Sequence, residues 1–241
     1  MKKKGKKYQD IIKDIDLNKE YGLDEAIGLV KNTSTTKFDG TVEFHAKLGL
    51  DLEKPEQNVR STVVLPNGTG RDMKILVFAE AKDEKKAKDA GADFVGLDEF
   101  IEKIKKGWLG FDVAVATPEN MPKIAKLAKI LGARGLMPNP KAGTVTTDVV
   151  KTIEEFKKGK IEFRADSLGG IHVGIGKVSW DEKKLVENFN TLHKALVSAK
   201  PSSLKGVYIK SISLSSTMGP GIKININTLK IVISTVILKL K

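Results

Sequence analysis

Apolar residues change their spacing several times along the chain, and each change marks an element. Tyr8 to Ile15 and Leu23 to Lys31 carry apolar side chains at helical spacing, with Asp24 placed to cap or charge a first turn. From Thr41 to Leu50 the residues Val42, Phe44, Ala46, Leu48 and Leu50 alternate with polar ones, as in a strand buried on one face. Val59 to Leu65 reads as a second strand, stopped by Pro66-Asn67-Gly68. From Lys74 to Ala79 the apolar run is nearly unbroken, the pattern of a strand covered on both faces. Helix Asp83–Ala90, strand Asp93–Gly96, helix Asp98–Lys106, strand Asp112–Ala116 and helix Glu119–Leu131 follow. Strands and helices alternating at this interval predict a small parallel sheet. Another helix, Thr147 to Lys158, stops at Gly159.

Alternation then returns. Lys160 to Ala165 and Gly170 to Lys177 flank Asp166-Ser167-Leu168-Gly169-Gly170, a hairpin signal. Helix Asp181–Ser198 and strand Val207–Leu214 follow, and the strand runs into Ser215-Ser216-Thr217-Met218-Gly219-Pro220-Gly221. Locally this stretch fits a turn that only reverses the chain. It also fits a place where a partner reaches a methionine set between hydroxyls and glycines. The simplest assembly is mixed α/β and α+β. A discontinuous two-layer α+β domain, residues 1–68 and 160–241, would hold an inserted parallel α/β domain, residues 69–159. The glycine-flanked crossings near Thr69–Arg71 and Gly159 predict a hinge.

Composition narrows the partners. The chain has 241 residues, 40% hydrophobic and 30% charged, with no cysteine, so disulfides and thiolate metal sites are excluded. The lysine-rich start has no apolar segment behind it to make a secretory signal, and no apolar run reaches the roughly 20 residues of a spanning helix. A cytoplasmic protein with no membrane partner is expected. The net charge of +12 suggests a polyanion, most often nucleic acid. That charge does not locate a face: residues 69–159 hold 17 basic and 14 acidic side chains, the first seven residues contribute +5 and Lys230, Lys239 and Lys241 +3, leaving +1 elsewhere. A basic surface kept for solubility is the plain alternative.

Catalytic chemistry is hard to find. His45, His172 and His193 are far apart and read as ordinary strand or helix residues. Gly68-Thr69-Gly70 lacks the third glycine of a dinucleotide fingerprint, and Gly174-Ile175-Gly176-Lys177 has Val178 where a phosphate loop needs Ser or Thr. No catalytic residue, metal site or cofactor is assigned. A nucleotide-binding α/β enzyme remains as the alternative. It would need a phosphate loop after the Lys74–Ala79 strand, where Ala81-Lys82-Asp83-Glu84 offers no glycine. Duplex DNA binding is disfavoured because no helix concentrates base-reading side chains.

Five blocks in order give the chain a family resemblance: Lys37 to Leu50; Gly91 to Val95 with Gly107-Trp108; Leu131 to Val145; Ile161-Glu162-Phe163-Arg164 with Gly170-Ile171-His172; and Thr217-Met218-Gly219-Pro220. The chain resembles the bacterial large-subunit ribosomal proteins, number one of that subunit, that form the protein part of the mobile stalk beside the exit site. The resemblance implies a Rossmann-like inserted domain and a discontinuous domain that binds large-subunit rRNA. It implies help in releasing deacylated exit-site tRNA and, often, repression of the protein's own operon through its mRNA. It implicates Lys37, Phe38, Thr41 and Glu43 on the early strand, Arg164 and Lys177 on the returning hairpin, and Thr217, Met218 and Gly219 in the late loop as the rRNA contacts.

The chemistry of these residues is compatible with that role. Arg164 and Lys177 can neutralise phosphates, and Thr41 and Thr217 offer hydroxyls to 2′-OH groups. Phe38 and Met218 give apolar surface against base or ribose, although Phe38 also fits a core aromatic. Gly219 permits close approach, and the Glu43 carboxylate can accept from a 2′-OH or an amino group, or simply lie on a solvated strand face. The proline-rich Arg134–Gly143 loop suggests tRNA or inter-domain contact through Arg134 and Lys141, or rigidity alone. Gly40 and Ala133 stand where the family usually has glutamate and proline. The apolar tail 229–241 is also atypical and suggests an edge strand or a segment docked on a neighbouring protein.

Overall fold

The computed structural model describes residues 5–226 apart from Leu52 and Glu80. In order, the elements are α1 (Lys6–Ile11), α2 (Leu23–Asn32), β1 (Thr41–Leu48), β2 (Arg60–Val64), β3 (Ile75–Phe78), α3 (Ala81–Asp89), β4 (Phe94–Val95), α4 (Asp98–Lys105), β5 (Val113–Ala116), α5 (Met121–Ile124), α6 (Ala128–Ala133), α7 (Val149–Lys157), β6 (Lys160–Arg164), β7 (Gly170–Lys177), α8 (Glu182–Ser198), β8 (Ile209–Ser216) and β9 (Ile222–Ile224). The class is mixed α/β. The chain divides into two compact units. One takes residues up to 59, 65–70 and those from 163 onward; the other takes 60–64 and 71–162.

The first unit is built on an antiparallel sheet in the order β7-β1-β8-β9. Its strands are one-sided because their sequences alternate: Val42, Phe44, Ala46 and Leu48 of β1 are buried, as are Ile171, Val173 and Ile175 of β7 and Ile212 and Leu214 of β8. These side chains meet α2, through Ala26, Ile27 and Val30, and α8, through Leu185, Phe189, Leu192 and Leu196. Phe44 and Phe189 touch edge to face with ring centroids 5.4 Å apart. Full burial of such aliphatic and aromatic side chains stabilises the layer by about 1.5–3 kcal/mol each. Asn188 is the polar exception inside this core. Its amide nitrogen donates to the carbonyls of Gly68 (2.9 Å) and Ile175 (2.7 Å), and its oxygen accepts from the Asn67 N–H (3.1 Å).

The second unit holds a parallel sheet in the order β4-β3-β5. The unbroken apolar run of β3 has its reason here, since successive side chains enter opposite cores. Leu76 and Phe78 join Phe100, Ile101, Ile104, Ile124, Leu127 and Leu131 on one face, while Ile75 and Val77 join Val149, Ile153 and Phe156 on the other. Val145 adds a parallel bridge to Ala116 beside β5. Strands β2 and β6 form a separate two-stranded sheet, with Arg60 and Glu162 ion-paired across it.

Three readings of the sequence change. The expected hairpin of Lys160–Ala165 with Gly170–Lys177 is a turn without a ladder. The Asp166 carboxylate caps the turn by accepting from the N–H groups of Leu168 (2.8 Å) and Gly170 (2.6 Å), yet β6 pairs with β2 and β7 with β1. Period-two alternation states which side a residue faces, not which strand lies beside it. The expected helix Glu119–Leu131 is instead broken into α5 and α6 with 3-10 turns at Pro118–Asn120 and Ala125–Leu127. Pro122, within that stretch, has no N–H to return to Pro118. The expected strand Val207–Leu214 is shifted two residues onward, so Ser215 and Ser216 close β8 and the turn begins at Thr217. The reading of the tail 229–241 lies outside the described residues. Among those residues no helix is long and apolar enough to cross a membrane.

Candidate nucleic-acid interface

Among the described residues no helix packs on the polar phase of the antiparallel sheet. It presents Thr41, Glu43, His45 and Lys47 from β1, His172 and Lys177 from β7, Ser211, Ser213 and Ser215 from β8, and Lys223 from β9. Three of the residues expected from the resemblance, Thr41, Glu43 and Lys177, therefore share one sheet. Thr41 lies opposite Lys177, and Glu43 opposite both Gly174 and Ser215.

One end of this face is clasped by Thr217. Its N–H donates to the Thr41 carbonyl (3.0 Å), and its Oγ1 accepts from the Thr41 N–H (2.9 Å). Lys177 Nζ donates to Thr41 Oγ1 (3.2 Å) from the other neighbouring strand. Two segments, each well over a hundred residues from Thr41, are thus held to it at one point, with an ammonium group fixed on the Thr41 hydroxyl. Thr217 is consequently structural as well as accessible.

Two large apolar side chains stand out on the turns adjoining this end. Phe38 is 62% exposed and Met218 is 78% exposed. Phe38 lies in the bend before β1, where Thr36 Oγ1 donates to the Phe38 carbonyl and the Asp39 carboxylate accepts from the N–H (3.1 Å) and Oγ (2.8 Å) of Ser179. The core-aromatic reading of Phe38 is therefore not what the structure shows. Lys37 next to it is exposed as well. Met218 has φ +67°, the sole non-glycine residue with positive φ among those described. A side chain in the left-handed region costs about 1–2 kcal/mol in L-residues other than the small polar ones. Gly219 follows, its N–H donating to the Ser216 carbonyl at 2.8 Å, and a Cβ there would lie 2.2 Å from Ser216 Oγ. The Ser216 side chain thus leaves no room for a Cβ, which explains the glycine whatever approaches the turn from outside.

Further along the same face is a group that strand alternation does not single out. His45 Nδ1 and His172 Nδ1 are 2.8 Å apart, His45 Nε2 is 2.8 Å from Ser215 Oγ, and His172 Nε2 is 3.4 Å from the Asp166 carboxylate. Partial burial, then the neighbouring His172, push the His45 pKa down, while Glu43 at 3.5 Å opposes them. Asp166 is held below the usual carboxylate range, chiefly by the Gly170 and Leu168 N–H groups. A sequence signal existed, since both histidines occupy the polar phase of alternating strands. Only pairing brings them together.

The remaining expected residues sit elsewhere. Arg164 ends β6, exposed and with no ion-pair partner among the described residues, but outside the four-stranded sheet. Arg134 and Lys141 belong to the second unit, both exposed. Their loop is tied by its own bonds: the Asn139 N–H donates to Thr144 Oγ1 (2.7 Å), the Lys141 N–H to Asn139 Oδ1 (2.8 Å), and Gly143 turns at φ +63°. No group of three or more potential ligands among the described residues could hold a metal ion.

Fold and face define an α/β protein whose one-sided sheet exposes hydroxyls, imidazoles and lysines rimmed by apolar side chains. Comparison with known proteins narrows that class. The model of the ribosomal protein L1p/L10e family matches residues 30–220. The chain is 55% identical over 225 residues to the large ribosomal subunit protein uL1 of Macrococcus caseolyticus (strain JCSC5402), covering 93% of this chain and 97% of that one. The chain belongs to the ribosomal protein L1p/L10e family.

Proposed function

We propose that this chain is a structural component of the large ribosomal subunit that binds large-subunit rRNA through the open face of its antiparallel sheet. Family membership supports the ribosomal role, which is structural and not enzymatic, and places the protein in the cytoplasm. The observation that carries the RNA reading is the pair of exposed apolar side chains, Phe38 and Met218, on turns adjoining the Thr41–Lys177–Thr217 clasp. Apolar surface of that size costs solvation unless a partner covers it, and bases or riboses can do so by stacking. Lys177, Lys37 and Arg164 supply phosphate contacts, while Thr41, Thr217 and Glu43 bond to 2′-OH or amino groups and Gly219 keeps the backbone close. The binding domain is the discontinuous one, residues 1–68 and 160–241, with a Rossmann-like domain, 69–159, inserted.

In the ribosome this attachment holds the protein at the base of the mobile stalk. There it assists release of deacylated tRNA from the exit site, with Arg134 and Lys141 as tRNA or inter-domain contacts. The same face, offered an mRNA that copies the rRNA site, represses translation of the protein's own operon.

The test is binding of the full chain to an rRNA stalk fragment, wild type against Phe38→Ala with Met218→Ala. Stacking contributes about 1–3 kcal/mol per base, so the double variant should bind at least tenfold more weakly. Unchanged affinity, or equal affinity for duplex DNA at physiological salt, would remove the assignment. For the regulatory role, added protein should depress translation of a reporter that carries the operon leader, and the same double variant should not.

A further inference from the structure

Resting on the proposed RNA interface, we infer that His45 and His172 form a proton-accepting phosphate site at the centre of the open face, so that RNA binding takes up one proton. The argument begins with charge. The face that is to meet a polyanion carries two carboxylates at its middle, Glu43 and Asp166, each within 3.5 Å of an imidazole. Lysines flank them on neutral partners and keep their charge: Lys47 donates to the Leu168 carbonyl, Lys177 to Thr41 Oγ1, and Lys223 of β9 lies across Ser213 from the pair. From β8 the neighbours are Ser213 and Ser215, which carry no charge. With both imidazoles neutral, Glu43 and Asp166 offset the lysine charge immediately beside the pair. A proton gained there would strengthen the hold on a phosphate.

The imidazole pair can supply that proton's charge, and its geometry fixes how much. A separation of 2.8 Å between the two Nδ1 atoms requires one to donate and the other to accept. The neutral pair can gain one proton and keep this bond, as imidazolium donating to imidazole. A second proton would put two N–H groups head to head, which the contact cannot hold. The pair is therefore a site for one proton. Partial burial and mutual repulsion keep that proton off His45 near neutral pH in the free protein, and an approaching phosphate favours its uptake. The imidazolium then offsets one carboxylate and sets a positive charge beside the phosphate, while Ser213 can reach a neighbouring sugar hydroxyl.

Calorimetric titration of the full chain with the rRNA stalk fragment tests this, at constant ionic strength with EDTA present. Affinity should tighten about three- to tenfold between about pH 8 and about pH 6, and two buffers of different protonation enthalpy should report uptake approaching one proton. His45→Gln and His172→Gln should each flatten that profile, whatever affinity each retains. Because these variants could disturb the sheet, the wild-type imidazoles are also followed by NMR without RNA, where the pair should take up one proton, not two. RNA binding that is tight yet has the same pH profile in wild type and both variants would overturn the inference and leave the interface standing. So would two independently titrating imidazoles. Absence of RNA binding at every pH would overturn the interface itself, and this inference with it.

Discussion

Met218 separates recognition from stability more cleanly than any other position on the interface. Its side chain is 78% exposed, so truncation forfeits little buried area, and its backbone sits at φ +67°. Replacing it with glycine removes a left-handed penalty of about 1–2 kcal/mol but adds about 0.5–1 kcal/mol of backbone entropy to the unfolded chain. Met218→Gly should therefore be neutral to about 1.5 kcal/mol more stable, and Met218→Ala, which keeps the strain, should lie within about 0.5 kcal/mol of wild type. Both lose the thioether and its apolar surface, so both should bind the rRNA fragment about 5- to 30-fold more weakly, as expected for one hot-spot side chain worth about 1–2 kcal/mol. The assays are thermal or urea unfolding alongside filter binding at fixed salt. If Met218→Gly bound RNA as tightly as wild type, the side chain would have no part in recognition and the exposed methionine would need another explanation. If both variants lost affinity only in step with lost stability, the interface would be responding to folding, not to contact.

Other positions give independent checks. Asn188→Ala strips four hydrogen bonds from a buried site, those with the Asn67 N–H and side-chain amide and with the Gly68 and Ile175 carbonyls, so unfolding should show a loss of about 2–4 kcal/mol, with faster amide exchange at Asn67. Gly219→Ala sets a Cβ 2.2 Å from Ser216 Oγ and should cost about 1–2 kcal/mol. Ser216 Oγ is buried without a partner among the described residues, so adding Ser216→Ala should restore most of that, read as a coupling energy in a double-mutant cycle. Burial of His193 against Phe189 lowers its pKa in the folded chain. The unfolded chain then binds more protons just below the model-compound value of 6.5, so the stability from the neutral imidazole is complete above that pH and is lost as pH falls beneath it. His193→Gln should flatten this acid limb of the stability profile. Tyr208 acts in the opposite direction: burial raises its phenol to about 12, so its contribution holds below pH 10 and fades as pH rises towards 12.

Much of the architecture could be read from spacing alone. The phase of β1 was legible because Val42, Phe44, Ala46 and Leu48 sit every second residue, and a one-residue slip would expose all four. The character of β3 was legible because a strand with cores on both sides needs apolar residues in succession. The apolar period over Glu119–Leu131 fits one continuous helix, but Pro122 lacks the N–H that would tie it to Pro118, and the stretch divides into short helices. Strand β9 went unread because three residues, Ile222 to Ile224, are too few to show a period.

The candidate site divides along the same line. Local sequence determines which side chains are available: a threonine that opens a strand, a methionine between hydroxyls and glycines, a lysine that ends another strand, histidines in the polar phase. Their meeting is decided by strand partnership, which no local pattern encodes, because the hydrogen bonds of a strand are alike whichever neighbour accepts them. Thr41 reaches Thr217 across 176 positions and His45 reaches His172 across 127 only because β1 lies between β7 and β8. The same pairing opened the expected hairpin and left Arg164 outside the four-stranded sheet. Sequence by itself determined the one-sidedness of each strand and the chemistry on its open side. Tertiary structure alone decided which of those groups share a face and which are held close enough to exchange a proton.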